Sequence, residues 1–484
     1  MEKMTLKVGL VGSSQLSFPG DKESAFRRAA RKVRKLAEEW DFELYVYKKT
    51  VINAEDGYAA RKVLEEEKVD FVLLQTTSFS AGFLAPVFAR TKDARLGLWA
   101  IPEGAEDGAM PFNSLCGIHM YSAIIGHYLK DYHKSFKWFF GTADDPLFLE
   151  RFRITVRTLK AIKKMEHSSV ALVGGIAPGF DDLYDDERNL IRLFDGMKIS
   201  RLHEYDELKK AALAVPDKDA EARAEKEARL GGGFLHPTAK KMMNLNARFT
   251  IAYEQFVKEN GYDAVAVSCW PKFQDDFLFS SCAVIGELND EGTVTACEGD
   301  LTSAISMLFL KYLSDDIPTL MDLSAFDQKD DTVLLWHCGP ASRRFSEKNG
   351  FCYGLNYSGS AHDKDEKEPG GTGVVRDMIM DPGPVTIARL TGESDRMFEA
   401  TGKFIDYDKP SFRGSRAWTG DLKIGGQSVS SLDFLNTVLV RRFQHHFPIV
   451  KGDCSACVRE AMSWLGLKGV KVVPYQDYLQ SPEE

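Results

Sequence analysis

The sequence predicts an α/β protein: two doubly wound domains, each built on a parallel sheet, followed by a domain that is mostly antiparallel β-sheet or barrel. Three observations predict it. Strand-like runs alternate with helical runs through the opening segment, a second series of the same kind starts near Ser168, and past Asp322 long helices give way to short β-like segments separated by Gly, Pro and Asp. Strand–helix alternation implies βαβ units and a parallel sheet, whereas short strands between turn residues imply an antiparallel sheet or barrel. The expected divisions are residues 1–166, 167–322 and 323–484.

In the first domain, Leu6–Val11 reads as a strand leading through a Gly-Ser-Ser loop into an amphipathic helix over Glu23–Trp40. Phe42–Tyr47 is strand-like, Glu55–Lys68 helical, and Phe71–Gln75 and Leu96–Ile101 are buried strands. The second series opens with the strand Val170–Val173, which ends at Gly174-Gly175 and a loop rich in Asp. A helix over Glu187–Phe194, a strand over Lys198–His203, a solvated helix over Asp217–Arg229 and a long helix over Ala239–Asn260 follow. Asp263–Cys269 and Thr293–Cys297 are strands flanking a helix over Ser281–Asn289, and Leu301–Leu313 is the closing helix. The last domain offers β-like segments at Thr332–Trp336, Phe351–Tyr357, Gly373–Met380, Val385–Leu390 and Arg396–Asp406 before a helix over Ser431–Arg442.

Composition narrows the function classes. Hydrophobic residues are 44% and charged residues 27% of the 484, the balance of a folded globular chain. A formal charge of −9 argues against a general nucleic-acid binder, which normally carries a basic excess. No run approaches the ~20 apolar residues that span a bilayer, and the N-terminus lacks the apolar core of a signal peptide; a cytoplasmic protein without membrane or nucleic-acid partners is expected. Eight cysteines in a chain this long do not read as a disulfide framework. Cys269, Cys282 and Cys297 lie in or beside apolar runs, as reduced core thiols do, and the lone Cys454-x-x-Cys457 pair is weak evidence for zinc or redox chemistry.

Ligands of open α/β sheets bind beyond the carboxyl ends of the strands, and polar groups collect at such ends here. One segment runs from Val267 to Asp276 and contains Trp270, Lys272, Gln274, Asp275 and Asp276. Another is Thr295-Ala296-Cys297-Glu298-Gly299-Asp300, where Asp300 either reaches the crevice or caps the helix starting at Leu301. A third β-run ends in Trp336-His337, and His445-His446 stands just before Phe447 and the loop Val450-Lys451-Gly452-Asp453. Each histidine has an ordinary reading as a packing or surface residue. Together, Glu298, His337 and His446 supply one carboxylate and two imidazoles from separate stretches, a mixed oxygen–nitrogen set that suits Mn²⁺, Mg²⁺ or Co²⁺.

These same segments resemble the L-fucose isomerase/L-arabinose isomerase superfamily. The resemblance lies in Cys269-Trp270-Pro271, Leu288-Asn289-Asp290-Glu291-Gly292, Ala296-Cys297-Glu298-Gly299-Asp300, His337-Cys338-Gly339, Pro382-Gly383-Pro384-Val385-Thr386 and His445-His446; in the first half Asn113-Ser114-Leu115-Cys116-Gly117 is the most similar piece. It implies two Rossmann-like domains and a C-terminal β-barrel. It also implies a homo-oligomer, commonly a hexamer, in which a neighbour's first domain helps close the site. By position, Glu298, His446 and His337 resemble metal ligands, with Asp300 as the alternative carboxylate. A second acidic ligand is implied near the end of the strand before Glu298. The chain departs from the pattern there, offering Lys272, Gln274, Asp275 and Asp276 with no glutamate.

The resemblance implies an aldose–ketose isomerase working through an ene-diol on a free monosaccharide: a pentose, a 6-deoxyhexose or a hexose altered at C6, such as a sulfo-sugar. Glu298 and Asp276 are the candidates for proton transfer and His445 for substrate contact, while Trp270 and Trp336 either line the pocket or pack in the core. Arg413 and Arg416 are the one pair nominated to clamp an anionic sugar, against a plain surface role. Two rival classes remain at this level. A sugar-binding or regulatory protein would keep the fold without turnover. A dinucleotide-dependent enzyme is disfavoured, because neither Gly9–Gly12 nor Gly174-Gly175 shows the full G-x-G-x-x-G spacing.

Overall fold

The computed structural model describes residues 4–129, 135–356, 371–406 and 409–482. It divides into two compact units, Met1–Lys163 and Lys164–Glu484.

The first unit is a parallel sheet with helices between its strands. Strands β1 (Lys7–Ser13), β2 (Glu43–Val46), β3 (Phe71–Thr76), β4 (Arg95–Ala100) and β5 (Phe136–Phe140) lie in the order β2-β1-β3-β4-β5, parallel throughout. Every residue of β3 is buried, as expected of a strand covered on both faces. The helix Lys22–Trp40 turns Ala25, Phe26, Ala29, Ala30, Val33, Leu36 and Ala37 inward at helical spacing. Asp21 caps its first turn by accepting from the backbone of Ser24.

The second unit holds two sheets. Strands β6 (Ser169–Val173), β7 (Lys198–His203), β8 (Ala264–Val267) and β9 (Val294–Ala296) form a parallel sheet in the order β7-β6-β8-β9. The remaining strands are β10 (Thr319–Asp327), β11 (Thr332–His337), β12 (Cys352–Asn356), β13 (Thr372–Ile379), β14 (Gly383–Leu390), β15 (Met397–Phe404), β16 (Ser415–Ile424), β17 (Gln427–Ser428) and β18 (His446–Lys451). Six of them, β10-β11-β16-β15-β14-β18, pair antiparallel and return to β10, closing a barrel. Closure removes the exposed edges that an open antiparallel sheet would leave. A mixed α/β protein with parallel sheets and an antiparallel barrel answers the expected class.

The helix Leu301–Ser314 packs against β8 and β9 on one side and β14 and β18 on the other. Eleven of its residues, from Leu301 through Leu310 and at Leu313, are buried, the pattern of a helix enclosed all round. It therefore registers the parallel sheet against the barrel, and its N-terminus sits where the strand ends of both converge.

Three barrel strands lie outside the segments the sequence predicts: β10, which runs across the expected division at 322/323, together with β16 and β18. The last residue of the expected 351–357 segment lies outside the described residues. Among the described residues no helix is long and apolar enough to cross a membrane.

The barrel core centres on Phe398, fully buried with ring centroids 5.1 Å from Phe443, 5.5 Å from Phe447 and 5.8 Å from Phe434. Phe398→Ala should cost about 3–5 kcal/mol, read as a lower urea midpoint; an unchanged midpoint would show that this aromatic cluster does not hold the barrel together.

Candidate metal centre

Strand β9 ends at Ala296, and the chain reverses sharply at the following Cys297 and Glu298. Glu298 adopts a left-handed backbone, φ +60°, which non-glycine residues rarely take. Its carbonyl accepts the Ala177 N–H at 2.9 Å. Gly299 follows at φ +72°, and a Cβ there would stand 2.0 Å from the Gly175 carbonyl oxygen. The turn thus requires a glycine, and it projects the Glu298 side chain between the parallel sheet and the barrel. A strained backbone held by its surroundings is typical of functional positions.

The barrel brings imidazoles and a second carboxylate to the same place. His337 ends β11 and His446 begins β18; β10 runs between them and pairs Asp322 directly with His446. The ligand atoms of Cys297, Glu298, His337 and His446 all lie within 4.8 Å of one another, as do those of Asp322, His445 and His446. Glu298 Oε2 is 3.3 Å from both His445 Nε2 and His446 Nε2. The Glu298, His337 and His446 set read from the sequence is brought together.

Asp300 is fully buried and its carboxylate is committed. It caps the helix through the Ser303 N–H (2.9 Å), accepts from the hydroxyls of Ser303 (2.7 Å) and Thr302 (3.0 Å), and pairs with Arg389 Nη1 at 2.8 Å. It also accepts from His446 Nδ1–H at 2.9 Å, which leaves His446 Nε2 to face the cluster. A carboxylate fixing the far nitrogen of a ligand imidazole is the usual outer support of a metal histidine. The helix-capping reading of Asp300 is therefore the one the geometry displays.

Burial works against the charge on every ionisable group here, and the neighbours outweigh it unevenly. For Glu298, burial raises the pKa, but His445 and His446 pull it well below the usual carboxylate range. Asp300 is likewise held low against burial by Arg389 and His446. For Asp322, burial dominates and raises the pKa despite His337 and His446. Burial disfavours the charged rings of His337 and His446. The Asp322 charge and Cys338 nonetheless push His337 up to about 9, and Asp300 with Glu298 push His446 up to about 10.

The donor set fits a metal ion on an observation independent of spacing. Asp322 Oδ1 and His446 Nε2 are buried with no hydrogen-bond partner among the described residues, 3.8 Å apart. Buried polar atoms are nearly always satisfied, and a cation between these two would satisfy both.

The other nominated residues lie in varied places. His445 is half-exposed, its Nδ1–H donating to Asp182 at 2.8 Å, with Phe180 5.7 Å from its ring and Trp270 6.5 Å beyond Phe180. These residues make an aromatic wall beside the cluster. None of the residues from Pro271 to Asp276 belongs to either ligand group. Lys272–Phe277 is a short helix in which Asp276 pairs with Lys209 at 2.7 Å and Gln274 Nε2 turns toward Ser280. Asp322 is the acidic residue that stands at the cluster instead. Trp336 donates its indole N–H to the Arg413 carbonyl at 2.7 Å. Arg416 is occupied by Asp377 (3.0 Å) and the Gly414 carbonyl (2.7 Å), and Arg413 lies 3.8 Å from the same Asp377. Asp377 and Arg416 line a cavity of about 730 Å³ whose walls include none of the cluster residues. Cys454 and Cys457 are buried and not disulfide-bonded.

The parallel sheet and the closed barrel bring carboxylates and imidazoles into a cluster that could hold a metal ion, and the relatives of the chain support an isomerase enzyme. A protein named sulfoquinovose isomerase from Priestia aryabhattai is 25% identical over 414 residues, covering 84% of this chain and 86% of its own. One of the same name from Alkalicoccus urumqiensis is 24% identical over 420 residues, covering 83% and 86%. A third, from Clostridium sp. (strain MSTE9), is 27% identical over 247 residues, covering 51% and 54%. No family model matches the chain. Among solved structures, a solute-binding protein from Actinobacillus succinogenes 130z with bound D-allose aligns at 13% identity and a TM-score of 0.17, over 64% of this chain and 93% of that one. A likeness that slight carries no argument.

The raised pKa values give a directional prediction. For His446 the value of about 10 lies above pH 7, so the metal-free ring is expected to carry its second proton there, whereas His337 Nδ1 accepts the Cys338 N–H and stays unprotonated. A metal binds the deprotonated ring, so binding should release about one proton per ion from His446, and affinity should climb as pH rises from 7 toward 10. Calorimetry in buffers of different ionisation enthalpy counts that proton; a release near zero would mean the ring is neutral before the ion arrives.

Proposed function

We propose that the chain is a divalent-metal-dependent aldose–ketose isomerase acting on a free sugar, with a sulfo-sugar such as sulfoquinovose as the leading substrate. The observation that carries this reading is a pair of overlapping ligand groups that share His446, one of Cys297, Glu298, His337 and His446 and one of Asp322, His445 and His446, beside a half-open wall formed by Trp270, Phe180 and His445. The names of the relatives supply the substrate class. The same reading includes Mn²⁺, Mg²⁺ or Co²⁺ as the ion, Rossmann-like form for the α/β domains, and a homo-oligomer in which a second copy closes the open side of the crevice.

When bound, the ion supplies a Lewis acid that polarises the sugar carbonyl. Glu298, Asp322 and His446 would hold it, with His337 behind them. The protein's own residues then move two protons. Glu298 and Asp322 are neighbouring carboxylates whose surroundings drive their pKa values apart, one below and one above the usual range; such divergence separates base from acid. Glu298 takes the proton from C2 and returns it to C1. Asp322, the carboxyl with the greater hold on a proton, passes the hydroxyl proton from O2 to O1. Both transfers together convert aldose to ketose without net loss or gain.

His445, fixed by Asp182, offers Nε2 toward the same crevice and orients a sugar hydroxyl. Trp270 and Phe180 present apolar ring faces to the C–H face of the sugar. Arg413 and Arg416, already occupied with Asp377 and placed along a separate cavity, are not assigned to the sulfonate.

The test is ketose formation from sulfoquinovose, glucose, L-fucose and L-arabinose, each with Mn²⁺ and with chelator. Turnover that survives exhaustive chelation would sink the metal-dependent reading, and ligand-induced stabilisation without turnover of any sugar would leave a binding protein. Glu298→Gln and Asp322→Asn should each lower kcat by about 10²–10⁴-fold with circular dichroism unchanged. A near-normal rate in either variant removes that residue from proton transfer.

A further inference from the structure

We propose that Cys297 gives this site a second, thiolate-ligated binding mode, which selects softer ions such as Zn²⁺ and holds them in a closed form that excludes substrate. The inference rests on reading the cluster as a metal centre and adds a ligand, an ion class and an inhibitory state to that reading.

Cys297 is not placed as an ordinary core thiol. A buried free cysteine usually behaves as a small hydrophobe, but here Sγ is 2.9 Å from His337 Nε2 and belongs to the same compact group as Glu298 and His446. That group offers one sulfur, two nitrogens and one oxygen. Cys297, His337 and His446 are no more than 2% exposed. Four protein donors of this softness, shut away from water, are the makings of a closed tetrahedral zinc site. On the crevice side Asp322 and His446 offer only oxygen and nitrogen, and Asp322 and His445, the residue assigned to the sugar, are partly open to the crevice. That side suits a harder ion that must keep positions for substrate.

The two groups cannot be filled together. Both need His446, whose Nδ1 is taken by Asp300, so its single remaining nitrogen serves one ion at a time. A soft ion drawn to the sulfur side therefore displaces the harder ion from the crevice side. In the absence of an ion, the contact between Cys297 Sγ and His337 Nε2 holds the two donors together, and ion entry replaces that contact as the thiol proton and the Nε2 proton of His337 leave.

The experiment loads the metal-free full-length protein with Co²⁺ and reads near-ultraviolet absorption, where a thiolate bound to cobalt gives an intense charge-transfer band. The band is expected in the wild type and lost in Cys297→Ser. In parallel, Zn²⁺ is titrated into the Mn²⁺-loaded protein, and the solution Mn²⁺ signal in electron paramagnetic resonance reports displacement. Zn²⁺ should displace Mn²⁺ from the wild type, and Cys297→Ser should need about tenfold more Zn²⁺ or beyond while binding Mn²⁺ as before. Cobalt bound without a thiolate band overturns the inference and leaves the metal-centre reading standing, and this outcome is read on the wild type alone. Unchanged zinc competition in a folded Cys297→Ser protein also overturns it. If neither ion binds the wild type, this inference and the metal-centre reading fall together.

Discussion

The structure around the site depends on one buried carboxylate. Asp300 ends a loop from the parallel sheet, begins the enclosed helix Leu301–Ser314, and receives Arg389 from β14 and His446 from β18. Sheet, helix and barrel are thus tied at a single side chain. Taking a carboxylate out of water costs several kcal/mol unless its oxygens are satisfied, and here they accept from a backbone N–H, two hydroxyls, a guanidinium and an imidazole. Removing any one donor leaves the others still crowded around a buried charge, which is why such a pair resists piecemeal change. The local consequence is orientation. His446 is held by its far nitrogen, so its near nitrogen points at Glu298 and Asp322 before any ligand arrives.

A second constraint sits one residue upstream. Glu298 is held in a left-handed backbone by the Ala177 N–H and by the close passage of Gly299 over Gly175. A relaxed backbone would carry its carboxylate away from the imidazoles. The strain is maintained by the same loop that follows β6 and delivers Phe180 and Asp182 to the wall beside His445. The βα loops of the parallel sheet thus supply the acid and the wall, while the barrel supplies the imidazoles and the second acid. Neither half makes the site alone.

This division explains what the sequence reveals and what it hides. Glu298, His337 and His446 are legible because each follows or precedes a short apolar run, and polar residues at strand ends collect in crevices. The helix-cap alternative for Asp300 is legible from its place before Leu301. Asp322 is hidden. It sits inside β10, in the run Leu320-Met321-Asp322-Leu323, where a carboxylate beside apolar residues reads as the end of an element. Its role comes from pairing with His446, more than a hundred residues away in the chain, and no local pattern encodes such a register. The strand β18 is hidden for a related reason: it starts at His446 itself, so the histidines read as a loop motif rather than as a strand's first residue. The nearest visible signal is the isolated acidic residue in an otherwise apolar strand, which an unpaired burial cost makes worth asking about. The helices and parallel strands of the first unit are legible because their periodicities are local.

Charge balance says what kind of ligand the centre is built to receive. Arg389 neutralises Asp300 at 2.8 Å, and that pair is closed to solvent. Glu298 and Asp322 remain, two carboxylates facing the same buried nitrogen with no lysine or arginine paired to either among the ion pairs of the described residues. Without a cation, the neighbouring carboxylates raise the pKa of His337 and His446 above that of an ordinary histidine. A proton on His446 then stands in for positive charge, and an ion that entered would replace it. A monovalent cation would leave one negative charge uncompensated in a poorly solvated site, where such a deficit is costly. On the proposed reading a divalent ion would close the balance, and its match in charge and donor type would follow from the same few side chains that Asp300 holds in line.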